Sequence, residues 1–375
     1  MHHTLLLALL LLTPPDSTAP KRFSLLPLPL LYYTPETRFS YGAAATATFR
    51  FRSDTARQES PFGVRPSQVT VGAAYTQNKQ LLFYIPFQIF YKNNRYFANG
   101  ELGYYRYNYY FFGLGQRNVP AELYGVNFPR VRVNMFRRIS KADPDKPGRG
   151  LYAGLRYQYE NYQVTSVVPN GALASAHVPG MEIPGGMGSL LSGIGVGLFY
   201  DSRNTVFYPG RGMVADLTYL SQGQAIGSQV RFDRYVADVA SYHPLGTEAT
   251  LALNYVLSVT SGGEAPFNAL SLLGGTKRSR GYYEGRFRDA NLALLQAEYR
   301  LHLWRRLGAV AFGSVGFLGN RSDFLRLNDP KAAYGAGLRF RVNRDLVNIR
   351  LDYGRGIPYT SLGASGVYLT IGEAF

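Results

Sequence analysis

Apolar and polar residues alternate along most of this chain. In RFSYGAAATATFRF, Phe39, Tyr41, Ala43, Ala45, Ala47, Phe49 and Phe51 share one parity, while Arg38, Ser40, Gly42, Thr46, Thr48 and Arg50 share the other. In LYAGLRYQYE, Leu151, Ala153, Leu155, Tyr157 and Tyr159 alternate with Gly154, Arg156, Gln158 and Glu160. In LVNIRLDYG, Val347, Ile349, Leu351 and Tyr353 alternate with Asn348, Arg350 and Asp352. Period two over such lengths predicts strands with one apolar and one polar face. The pattern gives about sixteen segments: near 38–52, 66–77, 80–91, 95–107, 122–138, 150–162, 191–200, 211–221, 229–242, 247–260, 266–273, 288–303, 307–318, 331–342, 345–354 and 365–375. Those near 229 and 307 alternate poorly, and the one near 266 is short. ADPDKPGRG, YPGRG, HPLGTE and VNRDL supply turns between them.

Strands of roughly ten residues, with short turns alternating with long Gly/Pro-rich linkers such as 164–190, predict an all-β fold: a transmembrane antiparallel β-barrel of sixteen strands. Alternation alone also suits a soluble β-sandwich or propeller, with the apolar face inward. Composition and the C-terminus decide for the membrane. The chain carries 30 Tyr and 23 Phe, clustered near strand ends as an interfacial girdle requires. It ends GVYLTIGEAF, with Val367, Leu369, Ile371 and Phe375 on one parity. Ahead of the strands, Leu5–Leu12 is an apolar run too short to span a bilayer, which needs about 20 residues. It suits a secretory signal cleaved after Ala19. The expected organisation is a signal peptide over 1–19, an N-terminal segment over 20–37 and the barrel over 38–375.

Charge sharpens this picture. The formal net charge is +16, and Arg50, Arg52, Arg130, Arg132, Arg156, Arg339, Arg341 and Arg350 all fall on the lumen parity. On the lipid face each would cost about 2–4 kcal/mol at the bilayer midplane. Two readings of these arginines stand. They pair across strands with Glu160, Glu298, Asp216 and Asp352, or they make an electropositive lumen that favours anions. The first is preferred because carboxylates of the same parity are at hand. The alternation also removes the reason to assign this charge to nucleic acid. With no cysteine, a disulfide framework, a thiolate zinc site and a lipoprotein anchor are excluded. His177, His243 and His302 sit in no catalytic or metal-binding motif, so no enzyme, metal or cofactor is expected.

The motifs then converge. LPLLYYTPETRFSYGAA leads into the first predicted strand. LFYDSRNTVFYPGRGMVADLTY holds Asp201, Arg203, Pro209 and Gly212, with Asn204 after the arginine. GGTKRSRGYYEGRF centres on Arg280, Gly281 and Tyr282, and LQAEYRL, IRLDYG and IGEAF follow in order. Together, from about residue 27 to the end, they resemble the bacterial surface antigen barrels of the BamA/TamA superfamily. In that family the hairpin reads Asp-x-Arg-Asp and the sixth extracellular loop reads Val-Arg-Gly-Phe/Tyr. Here Asn204 and Ser279 depart from those patterns. The resemblance implies that the Arg-Gly-Tyr loop folds inward and that its arginine reaches acids on the wall. Glu298 is the expected partner of Arg280. The family's Phe-x-Asp-x-Gly strand is FGSVG here, so Ser314 replaces an acid and Asp352 is the substitute.

The resemblance also implies a seam between first and last strands, assigned to Gly42, Gly366, Gly372 and Phe375. It implies a bacterial outer-membrane location and a role in assembling or translocating protein or lipid. The family's POTRA domains are a point of departure: residues 20–37 between the expected signal and the first predicted strand are too few for one, so a stand-alone form is expected. A passive pore for small anionic solutes and a structural subunit of an envelope complex are the alternatives. Implied partners are outer-membrane lipid and lipopolysaccharide, client or partner envelope proteins, and a second copy in a homodimer.

Overall fold

The computed structural model describes residues 23–53, 65–115, 117–141, 148–178, 180–206, 208–320, 329–341, 348–357 and 363–375. The expected signal peptide, residues 20–22, and most of the turn sequences at 142–150 and 342–346 lie outside the described residues.

Sixteen antiparallel strands close one barrel. They are β1 (Phe23–Thr34), β2 (Arg38–Phe49), β3 (Ser67–Thr76), β4 (Leu81–Tyr91), β5 (Tyr96–Leu114), β6 (Arg117–Arg138), β7 (Gly150–Ser166) and β8 (Gly188–Asp201). There follow β9 (Gly212–Gln222), β10 (Phe232–Leu245), β11 (Ala249–Ser261), β12 (Asn291–Trp304), β13 (Leu307–Gly319), β14 (Lys331–Arg341), β15 (Asn348–Ile357) and β16 (Ser365–Ile371). Each pairs with its sequence neighbours, so the topology is a simple meander. β1 begins and β16 ends at the same rim, called here the terminal rim.

The alternation sets the two faces. Leu155, Leu198, Leu295, Leu338 and Tyr353 point outward and are 43–55% exposed. Their polar neighbours enclose the lumen, where Arg280, Glu298, Arg300, Arg339 and Asp352 are buried. An outer surface this apolar requires hydrocarbon around it, and a closed ladder leaves few backbone groups unpaired there. Among the described residues no helix is long and apolar enough to cross a membrane; the strands are the spanning elements. Rings gather at both ends of the wall. Tyr33 packs on Phe39 and Tyr41 on Tyr75 near one rim, and Phe51 packs on Phe49 and Tyr91 near the other.

The strand count agrees with the sequence reading, but two segments exchange places. The segment near 266–273 is not a wall strand. It holds a short 3-10 turn (Phe267–Ala269), and Ser271–Leu273 pairs only with Phe287–Asp289. The residues expected to form an N-terminal segment contain β1 instead. FSLLPLPLLYYT shows little period-two signal because leucines stand on both parities of its sequence, and its two prolines argue against a strand.

The pairing register explains how β1 tolerates them. The amide of Gln77 donates to the carbonyl of Phe39 at 2.7 Å, so odd-numbered residues of β2 turn their backbone groups toward β3. Tyr33 pairs with Phe39, Pro29 with Ala43 and Pro27 with Ala45. Odd-numbered residues of β1 therefore face away from β2, toward the closure with β16. Pro27 and Pro29 remove donors only from that edge.

Candidate functional site: an arginine clamp in the lumen and the barrel seam

The lumen site is built on β12, β13 and β15, whose inward parity carries Gln296, Glu298 and Arg300, then Phe312 and Ser314, then Arg350 and Asp352. The connection between β11 and β12 brings Arg280 to this wall. Its guanidinium donates to Asp352 at 2.5 Å and to Glu298. It also lies over the Phe312 ring, 3.7 Å from the centroid. The planar fork lets one arginine reach two carboxylates on different strands, which a point-charge ammonium cannot do. Each carboxylate keeps a second cation. Arg300 donates to Glu298 at 2.8 Å, and Arg339 donates to Asp352 at 2.5 Å. Arg339 also bonds Glu373 at 2.8 Å.

Around this centre the connection is fixed by backbone contacts. Gly281 has φ +122°, and its amide donates to the Tyr368 hydroxyl at 3.1 Å. That hydroxyl in turn donates to the Tyr282 carbonyl at 3.1 Å. The Tyr282 hydroxyl donates to the Ala332 carbonyl at 2.7 Å and accepts from the Ile357 amide at 3.0 Å. Close approach needs missing side chains on the wall. A Cβ on Gly354 would lie 2.7 Å from the Arg280 carbonyl carbon.

The two departures from the family pattern meet each other. The Ser279 and Ser314 hydroxyls share a hydrogen bond of 2.9 Å, and the Ser279 amide donates to Gln296 at 2.8 Å. A hydroxyl pair thus occupies the place where the resemblance implies an acid, and Asp352 is the second anion on Arg280.

The hairpin motif forms a separate cluster after β8. Arg203 and Arg65 both bond Asp201 at 2.7 Å. The Asn204 side-chain oxygen accepts from the amides of Gly210 and Arg211 at 3.0 and 3.1 Å, work that a carboxylate could also do. Pro209 is buried in this turn, and Gly212, at φ +99°, opens β9.

Other arginines follow the ion-pair reading. Arg130 bonds Glu160 at 2.8 Å and Arg156 bonds Asp216 at 2.5 Å. Arg350 lies 3.9 Å from Asp352 and donates to the Thr276 carbonyl at 2.8 Å. Arg132 lines the lumen without an ion pair among the described residues. Three of the expected lumen arginines lie at the end of the wall: Arg50 and Arg52 follow the end of β2, and Arg341 is the last residue of β14, all toward the terminal rim. Parity fixes a side, not a depth.

The expected seam residues need correction. Gly42 lies in β2, paired with Leu30 and Ala74, because β1 precedes it. Gly366 is in β16. Gly372, at φ +83°, lies beyond the strand, and Phe375 no longer follows its parity. The Phe375 carbonyl accepts from Arg300 at 3.0 Å, and its ring faces that guanidinium, lining the lumen.

The seam itself is β1 against β16, registered at a single pair, Tyr33 with Leu369. By contrast, β15 and β16 register from Ile349–Ile371 to Arg355–Ser365. Amide 372 donates to carbonyl 348 and amide 356 to carbonyl 364, so odd-numbered residues of β16 face the seam. Continuing the register downward brings Leu31 to Ile371, where β16 ends. Below that, the edge of β1 has no strand opposite it among the described residues. The signals that sequence reading missed here are the two prolines and the Gly354-Arg355-Gly356 spacing on β15.

Comparison with solved structures supports the same architecture. The chain is 14% identical to BamA from Haemophilus ducreyi lacking POTRA domains 1–3, with a TM-score of 0.56, covering 94% of this chain and 70% of that one. It is 14% identical to CdiB from Acinetobacter baumannii (TM-score 0.60, 94% of this chain and 60% of that one). It is 10% identical to CdiB from Escherichia coli (TM-score 0.64, 95% and 63%). The chain thus spans less than two thirds of either CdiB chain. Such identities speak for the fold alone. Comparison with curated proteins finds no match. The Omp85 superfamily domain matches residues 65–375, and the chain belongs to that superfamily.

Proposed function

We propose that this protein is an integral barrel of the bacterial outer membrane that assembles or translocates protein, or lipid, across or into that membrane, and that its seam is the working part. The single-pair registry between β1 and β16 is the observation that carries this reading. An edge of unpaired backbone groups in hydrocarbon is costly, and a strand that pairs with it relieves that cost. Edge addition is also how extended segments are recognised elsewhere. The two edges are unequal. Pro27 and Pro29 blunt β1, whereas Ser365, Val367, Leu369 and Ile371 keep their donors toward the seam. β16 is therefore the edge we assign to a client strand. The inserted Arg280 segment weighs against a wide passive pore.

The chain has no cysteine, which makes a direct test clean. Tyr33→Cys with Leu369→Cys closes the seam as a disulfide. Proteoliposomes holding the oxidised variant are expected to lose acceleration of a model outer-membrane barrel's folding, and reduction is expected to restore it. Equal acceleration with the seam locked would reject the proposal.

A further inference from the structure

The lumen arginines divide into two populations. Arg130, Arg156, Arg203, Arg280, Arg300 and Arg339 each have a carboxylate partner. Arg132 on β6, Arg234 on β10, and Lys277 and Arg278 in the β11–β12 connection make no ion pair among the described residues. These four cations stand around the same space. A cavity of about 490 Å³ is lined by all four, and a second of about 600 Å³ by Arg132, Lys277 and Arg278. The two cavities share Arg132, Gln158, Lys277 and Arg278, so they meet at the cations.

Two further observations separate this cluster from a solvated face. Among the described residues, the Arg234 Nε is buried without a hydrogen-bond partner, and its Nη2 reaches only the Thr260 hydroxyl, at 3.1 Å. The carboxylates that share the space do not match the four cations: Glu160 is taken by Arg130 and Asp216 by Arg156, and the two that remain, Asp238, which accepts from the Asn254 amide at 2.8 Å, and Glu284, make no ion pair with them among the described residues. Four like charges around one space repel one another unless an anion sits between them. Arginine forks match phosphate and carboxylate oxygens in particular.

We infer that this part of the lumen is a binding site for a small multivalent anion carrying two or more phosphate or carboxylate groups, held by Arg132, Arg234, Lys277 and Arg278. A monovalent ion would leave most of the charge unmatched, and a volume of several hundred cubic ångströms admits a larger solute. The site is independent of the seam. It survives if the seam reading fails, and the seam reading survives without it.

Isothermal titration of the detergent-solubilised full chain with inorganic pyrophosphate at low salt tests the site. The wild type is expected to bind, with affinity falling as salt rises. Lys277→Gln with Arg278→Gln, and separately Arg132→Gln, are expected to weaken binding at least tenfold while heat-modifiability in SDS is kept. Arg305→Gln, exposed in the β12–β13 turn over Trp304, is expected to bind like the wild type. Three results would overturn the inference: no titratable binding by the wild type, binding unchanged in the double variant, or equal weakening by Arg305→Gln. If the double variant fails to fold, Arg132→Gln alone decides the matter.

Discussion

Replacing Arg280 with alanine probes the lumen clamp most sharply. Arg280 is 2% exposed, and Glu298 and Asp352 are fully buried. Removing one partner of a buried ion pair costs about 3–5 kcal/mol because a charge is left without compensation. Here neither carboxylate is orphaned, since Arg300 stays on Glu298 and Arg339 on Asp352. That places the ion-pair loss near the lower end, about 3 kcal/mol. The lost contact with the Phe312 face adds about 1 kcal/mol. The sum is close to a thousandfold in the folding equilibrium at about 1.4 kcal/mol per factor of ten. Arg280→Lys keeps the charge but reaches one carboxylate, so it should lose roughly half as much. Arg341→Ala, at the end of β14, should stay within about 0.5 kcal/mol of wild type. Denaturant unfolding in detergent micelles reads all three, and heat-modifiability in SDS gives the same order. An Arg280→Ala variant as stable as Arg341→Ala would refute the clamp. A lysine variant matching wild type would refute the two-carboxylate fork.

Three smaller predictions accompany it. Gly281→Ala should destabilise by more than about 1 kcal/mol, since φ is +122° and the new methyl would lie 2.8 Å from the Arg355 backbone; denaturant midpoints show this. Ser314→Ala should cost about 1 kcal/mol by stranding the buried Ser279 hydroxyl, and the Ser279→Ala/Ser314→Ala double variant should cost less than the sum of the singles. Burial, then the charge of Glu284, pushes Glu36 in the β1–β2 turn up to about 7 from 4.5. The folded chain there holds a proton that the unfolded chain releases, so this group's stabilisation is lost as pH rises from about 4.5 through about 7. Glu36→Gln should remove that part of the slope when unfolding is compared at pH 5 and pH 8.

The sequence reading was strongest where chemistry alternates. Leu155 and Tyr157 faced outward and Arg156 inward because period two fixes a side without any knowledge of neighbours. Parity could not fix depth, which is why Arg50, Arg52 and Arg341 were expected along the lumen and lie toward its rim. It also failed at both ends of the wall. β1 carries leucines on both parities, and the prolines that argue against a strand are admissible only because their missing donors face the seam. Knowing that requires the register. Phe375 shared a parity with Leu369 in the sequence, but the turn at Gly372 carries it inside. Arg280 and Glu298 could be matched from the resemblance and strand parity. The meeting of Ser279 with Ser314 could not, because it depends on how far the connection descends along β13.

Hydrogen exchange on the full chain in lipid nanodiscs, resolved along the strands, tests the seam most directly. The amides of Leu25 and Leu31 on β1, and of Val367 on β16, should exchange far faster than those of Arg130–Val133 on β6, which are paired on both sides. Protection of the seam amides equal to that of β6 would contradict a barrel closed through one pair of residues.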